Sequence, residues 1–530
     1  MSHLPRPFRA LIHLFVFVSL ISSTGFSADE KPPAATKKAE EVKKEEKKDD
    51  KKDEKTPEEK SSRSEHTVTI DGKEIKYTAI AGTMNLRKEK DGKFDTIATV
   101  FYVAYTRDDA GSMTRRPITF SFNGGPGSSS VWLHLGVLGP KRVVLDDEGN
   151  ALPPPHRLID NVYSLLDVTD LVFIDPVSTG YSRAVPGENP DQFHGVEEDV
   201  ESVGEFIRLY TTRNKRWTSP KFLIGESYGT TRAAGLSGFL QNQGMYLNGI
   251  MLVSSVLNFQ TLDFSPGNDL PAILYLPTYA AAAWYHGQLA KKLEDEGLPA
   301  TLREAETFAQ GEYAAGLLKG SGLTAEEQKA LADKIAYYTG LSPEYVLRAG
   351  LRVSSGRYFK ELLRAQGRTI GRYDARYKGF DRDSVGEDAE YDPSYAAVLG
   401  PFTAGFNQYV REDLKYESDL PYEILTRHVH PWNYGTARNR YVNVAETLRS
   451  SLNFNPFLKV HIACGYYDLA TPYLAAQYTF DHLPLDASLR KNISFSYYQA
   501  GHMMYLHKPD LVELRTNLAK FIESAIPQAP

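Results

Sequence analysis

The sequence has one cysteine in 530 residues. No disulfide can close within the chain, and a cysteine-rich zinc or iron–sulfur site is excluded with it. An excess of charge of one sign is also missing: 61 Lys and Arg face 67 Asp and Glu, a net charge of −6. That balance makes no electrostatic case for nucleic acid as a partner. Past residue 28 no segment is apolar enough to span a bilayer, and no internal repeat is visible. The length suits one large domain carrying an insertion.

The charge that is present is unevenly placed. Of the 37 residues 29–65, 25 are charged, 12 basic and 13 acidic. Within 43–55 all nine i,i+4 pairs carry like charges, which destabilises a helix. This stretch reads as a disordered tether, either a spacer at the cell envelope or a solvated tail without a partner. Residues 1–28 before it read as a cleaved export signal. Arg6 and Arg9 precede the apolar run 11–21, and small residues lead to Ser27 and Ala28. That run is shorter than the roughly 20 apolar residues of a spanning helix. The expected location is therefore exported, periplasmic or secreted, without stable membrane insertion after cleavage.

The remaining 66–530 alternates short apolar runs with amphipathic helices, the pattern of an α/β protein. Runs 75–87 and 95–107 read as a hairpin-type pair, followed by strands at 117–122 and 171–175. A helix is expected over 196–213, a strand at 221–225, a helix over 228–241 and a strand at 249–256. Between about 266 and 421 the periodicity turns helical, with no convincing strand, and reads as a lid insertion. Strands resume at 458–464 and 493–499, and a helix closes the chain over 509–526. Cys464 ends one of these strands and reads as a small buried apolar residue.

Gly225-Glu226-Ser227-Tyr228-Gly229 is the one G-x-S-x-G in the chain. It lies between an apolar strand and a helix, where a tight turn lifts a serine hydroxyl into solvent. A serine is a weak nucleophile until a base takes its proton and an acid orients that base. In the hydrolase order the acid and then the histidine follow late strands. Asp468, in Gly465-Tyr466-Tyr467-Asp468, and His502, in Gly501-His502-Met503, occupy those places. His461, His482 with Asp481, His428 and His430 are the rivals, placed less well. Acyl transfer also needs donors for an oxyanion. The loop Asn123-Gly124-Gly125-Pro126-Gly127-Ser128-Ser129-Ser130 and the elbow supply the amides of Gly125 and Tyr228. No Walker spacing or lysine accompanies the glycines, which disfavours a phosphate loop.

These segments, with Asp175-Pro176-Val177-Ser178-Thr179-Gly180-Tyr181-Ser182, resemble the serine carboxypeptidase family of α/β-hydrolases, in family order and across most of 115–530. The resemblance implies an α/β-hydrolase fold with a mostly parallel sheet and a helical lid. It also implies release of C-terminal residues from peptides through an acyl-enzyme, favoured at acidic pH. In that family the residues matching Asn123, Gly124 and Glu226 bind the substrate's terminal carboxylate. Glu226 beside a carboxylate requires one shared proton, so such binding weakens as pH rises. No metal or organic cofactor is needed. The partner is a peptide with a free C-terminus. An esterase or acyltransferase could use the same triad, and a non-catalytic envelope-binding protein is the reading from a different class. The chain departs from the family pattern at Ser128, where cysteine is usual, at Ser178, where glycine is usual, and in lacking disulfides.

Overall fold

The computed structural model describes residues 57–527, apart from Asp91 and Arg438. The export-signal reading and residues 29–56 of the tether reading lie outside them. The chain enters through three antiparallel strands, β1 (Ser61–Ile70), β2 (Lys73–Lys90) and β3 (Lys93–Arg107). β1 takes residues 61–65, which the tether reading had included. Its ten residues alternate polar and apolar only weakly, and just Val68 and Ile70 are buried, so the charge count hid the period-2 signal.

The other principal strands are β4 (Ile118–Phe122), β5 (Asp170–Ile174), β6 (Lys221–Glu226), β7 (Gly249–Val253), β8 (Lys459–Gly465) and β9 (Ile493–Tyr498). The sheet order is β1-β2-β3-β5-β4-β6-β7-β8-β9, parallel from β5 onward. Every residue of β4, β5, β6 and β7 is buried. Strands covered on both faces are near-continuously apolar, which is why they read as short runs, with polar residues such as Asp170, Lys221 and Glu226 at the strand ends. Alternate residues feed different cores. Leu223, Ile250 and Leu252 pack with α1 (Val196–Arg213) and α2 (Tyr228–Asn242). Phe222, Ile224, Met251 and Val253 pack with Leu511, Leu514 and Leu518 of the closing helix Lys508–Ser524.

Between β7 and β8 the chain runs through a succession of helices, among them Leu270–Tyr285, Leu298–Phe308, Ala325–Thr339 and Pro393–Glu412. It also forms a small antiparallel hairpin, Arg368–Ile370 with Lys378–Phe380, where the sequence reading found no strand. Three-residue strands carry too few alternations to register as a pattern. The turn of this hairpin, 371–377, reaches the sheet's C-terminal edge. Arg372 and Tyr467 carbonyls accept from Leu469 and Ala375 at 3.1 and 2.9 Å, and the Tyr373 carbonyl accepts from His502 at 2.6 Å. Asp374, paired with Arg376 at 2.7 Å, accepts from the Gly501 amide at 2.9 Å. A Cβ on Gly501 would lie 2.2 Å from the Tyr373 carbonyl oxygen, so only glycine lets the two loops close this far.

Candidate active site

Ser227 sits between β6 and α2 with φ 60° and ψ −130°, a backbone state that costs a non-glycine residue about 1–3 kcal/mol. Its neighbours hold it there: its amide donates to the Val253 carbonyl at 3.0 Å and its carbonyl accepts from Thr230 at 2.8 Å. The flanking glycines are sterically required. A Cβ on Gly225 would meet the Gly229 carbonyl oxygen at 2.1 Å, and one on Gly229 would meet that of Phe122 at 2.9 Å.

Asp468 follows β8 and is fully buried. One oxygen accepts from the amides of Ala470 and Thr471 at 2.8 and 2.9 Å, and the other faces the Thr471 hydroxyl at 2.7 Å and His502 Nδ1 at 2.8 Å. Burial opposes a charged His502, but the charge and hydrogen bond of Asp468 together with the charge of Glu226 outweigh it, and the ring's pKa stands above its ordinary value. Ser227 and His502 line one cavity. The rivals stand elsewhere. His461 is occupied by the Ser494 and Ser496 hydroxyls at 2.9 and 3.0 Å, and His482 bonds the Tyr478 carbonyl at 2.7 Å. His428, His430 and Asp481 do not line the cavity.

Asn123, Gly124, Gly125 and Glu226 line the same cavity. Gly125 has φ 102°, and a Cβ on Gly124 would lie 2.4 Å from the Tyr228 nitrogen, so the glycine loop lies directly against the elbow. Among the described residues neither the Gly125 nor the Tyr228 amide donates to a carbonyl. The Tyr228 ring points away and packs on Trp432 with centroids 5.4 Å apart. The loop is held without disulfides. Asp175 accepts from the Ser130 amide and hydroxyl, both at 2.9 Å. Ser128 donates to the Ser129 carbonyl at 3.0 Å and accepts from Trp132 Nε1 at 3.0 Å, and it bridges to Leu425. Ser178 adopts φ 74° and bonds His194 Nε2 at 2.8 Å, so this serine takes the left-handed state that glycine adopts freely.

Arg232 of α2, nearly inaccessible, bonds the Asp199 carboxylate at 2.7 Å and the Asn123 carbonyl at 2.6 Å. Removing one partner of a buried pair leaves the other charged and unsatisfied. Asp199→Ala is expected to lower stability by about 3–5 kcal/mol, read by denaturant unfolding. A change below 1 kcal/mol would mean that the guanidinium finds another acceptor.

Glu226 is buried between Asn123, whose Nδ2 donates to Oε1 at 2.9 Å, and Tyr505, whose hydroxyl lies nearby without meeting hydrogen-bond geometry. Oε2 has no partner. Burial pushes the carboxyl up to about 7, against the pull of His502, Tyr505 and Asn123. A carboxyl raised on folding binds a proton that the unfolded chain has released. The resulting stability is full below the unfolded value near 4.5 and is lost as pH rises through 7. Wild type should therefore lose about 3 kcal/mol relative to Glu226→Gln between pH 4.5 and 7.5. Parallel unfolding curves for the two proteins across that range would contradict the burial argument.

Sequence reasoning missed the insertion's share of this cavity, Arg372, Tyr373 and Tyr395, and also Trp132 and Leu425. The Tyr373 ring packs on His502 at 5.1 Å between centroids. Thr471, three residues after Asp468, donates its amide and hydroxyl to that carboxylate, a contact that a local turn pattern could have suggested. Among the described residues no group of three or more His, Cys, Asp or Glu is placed to hold a metal ion.

The serine carboxypeptidase family model matches residues 74–510. The chain belongs to the serine carboxypeptidase family. Among curated proteins, this serine carboxypeptidase family chain is 29% identical over 117 residues to serine carboxypeptidase-like 20 of Arabidopsis thaliana, covering 22% of each chain. It is 27% identical over 234 residues to the pheromone-processing carboxypeptidase KEX1 of Saccharomyces cerevisiae, covering 41% of this chain and 28% of the relative. The matched stretches thus span about a quarter of those relatives. The crystal structure of the Saccharomyces cerevisiae prohormone-processing carboxypeptidase Kex1(delta)p superposes with a TM-score of 0.52 at 17% identity, over 84% of this chain and 91% of that one. The fold is that of the α/β-hydrolases.

Proposed function

We propose that this chain is a serine carboxypeptidase that releases C-terminal residues from peptides through an acyl-enzyme and works best at acidic pH. Ser227 Oγ attacks the scissile carbonyl as His502 Nε2 takes its proton, and Asp468 keeps the ring's other nitrogen protonated. The amides of Gly125 and Tyr228 receive the developing oxyanion. His502 then returns the proton to the leaving amine, and water repeats the sequence on the ester. Asn123, Gly124 and Glu226 receive the terminal carboxylate.

One observation carries this reading over an esterase or acyltransferase: a carboxyl held near pKa 7, with a free buried oxygen, stands beside the nucleophile in its cavity. Protonated, it donates to a substrate carboxylate; ionised, it repels one. Its charge also helps raise His502's pKa, and that contribution disappears when Glu226 takes a proton. The apolar start of the sequence supports export, and no described helix is long and apolar enough to cross a membrane.

The test compares a blocked dipeptide acid with its amide and with a simple ester. KM for the acid should rise as pH passes 7, with a weaker trend for the amide and the ester. Glu226→Gln, which donates at every pH, should flatten the acid's trend. Ester turnover with no peptide hydrolysis would overturn the reading.

A further inference from the structure

Arg372 is the cavity's one charged lining residue that the proposed mechanism leaves without a role. It comes from the insertion, just after the strand Arg368–Ile370. Its backbone is fixed on both sides. The amide donates to Asp392 at 3.1 Å, the carbonyl accepts from Leu469 at 3.1 Å, and the next carbonyl accepts from His502 at 2.6 Å. The Cα is thereby pinned between the loop of Asp468 and the loop of His502.

The guanidinium is not spent on a protein carboxylate. Arg376 pairs with Asp374 at 2.7 Å, whereas Arg372 forms no ion pair among the described residues and its Cζ lies 5.3 Å from the Tyr373 ring centroid. Asp392, which receives its amide, uses the same oxygen for the amide and hydroxyl of Ser394 at 2.9 and 2.5 Å. The other ionisable lining groups are Glu226, His502 with Asp468 behind it, and the phenols of Tyr373 and Tyr395, which burial keeps neutral. Below pH 7 Glu226 is largely protonated, so the cavity presents Arg372 as an unneutralised cation. Its field reaches His502, where it counts against the imidazolium.

We propose that Arg372 is a specificity-determining residue that favours substrates carrying an acidic side chain next to the scissile bond. The proposal rests on the carboxypeptidase reading and refines it. The terminal carboxylate is taken by Asn123 and Glu226, so a second carboxylate is what remains to engage the guanidinium. A planar fork of N–H donors suits a carboxylate better than it suits a neutral amide. Because Arg372 is exposed, the preference is moderate and weakens with salt.

The experiment uses the full chain at pH 6 and low salt, where a glutamate side chain is ionised and Glu226 is mostly protonated. Blocked dipeptides carry Glu or its neutral isostere Gln at the penultimate or at the terminal position, and the two arms show which side of the bond is read. Wild type should prefer Glu over Gln in kcat/KM by about threefold to fivefold in one arm. Arg372→Gln should bring that ratio to about one, and Arg372→Glu should reverse it in favour of Gln. Each ratio is read on a single preparation, so it does not depend on the fraction of folded enzyme. A wild-type ratio near one overturns the proposal, as does a ratio unchanged in Arg372→Gln. An equal loss by Arg372→Gln on every free-acid peptide also overturns it, since the guanidinium then serves the terminal carboxylate. Turnover of the Gln peptides tests the carboxypeptidase reading separately, and if wild type hydrolyses no peptide both readings fall.

Discussion

Ser227→Ala is expected to lower kcat on peptide substrates by about a millionfold, with KM nearly unchanged. The substitution removes only the hydroxyl. Alanine keeps the Cβ and meets the same steric terms at φ 60°, so the strand–turn–helix connection is retained and unfolding should scarcely move. The amides of Gly125 and Tyr228, the proposed oxyanion donors, remain, and with substrate binding they should account for any residual rate over water. Labelling by an active-site serine phosphonate should vanish with the activity. A variant that kept more than a hundredth of the wild-type rate would show that Ser227 is not the nucleophile.

Asp468→Asn should cost about ten-thousandfold in kcat, and the hydrogen-bond geometry gives the reason. One Asp468 oxygen accepts two backbone amides, from Ala470 and Thr471. An asparagine has to place its carbonyl oxygen there, because its NH₂ cannot accept. The NH₂ then occupies the other position, facing the Thr471 hydroxyl and His502 Nδ1. Nδ1 must now accept, so the proton moves to Nε2 and the ring can no longer take one from Ser227. The loss should be greatest at neutral pH and appear in kcat rather than KM. A loss below tenfold would mean that another group orients His502.

The fold's frame was legible because buried parallel strands are continuous apolar runs and the helices between them are amphipathic. Helix 196–213 and the strand starting at Lys221 coincide with the observed elements. That Ser227, Asp468 and His502 come together was legible because each follows a strand and a turn glycine in chain order. Glu226 was legible as a residue, but its raised pKa comes from burial by elements far from it in sequence, against the pull of His502, Tyr505 and Asn123. The insertion's contribution was not legible. Arg372 and Tyr373 stand in a polar stretch without periodicity, and their place beside His502 comes from long-range backbone bonds to Leu469 and His502. The same holds for Ser128, whose hydroxyl joins the loop to a segment nearly 300 residues away.

Removal of residues from a free C-terminus is tested by digesting one defined peptide in two forms. The forms are a C-terminal acid and a C-terminal amide, incubated with the full chain at pH 5 and pH 7.5 and read by mass. A ladder of products shortened from the C-terminus of the acid should appear, formed faster at pH 5, with the amide cleaved far more slowly. Internal fragments, trimming from the N-terminus, or equal rates on the two forms at both pH values would contradict it.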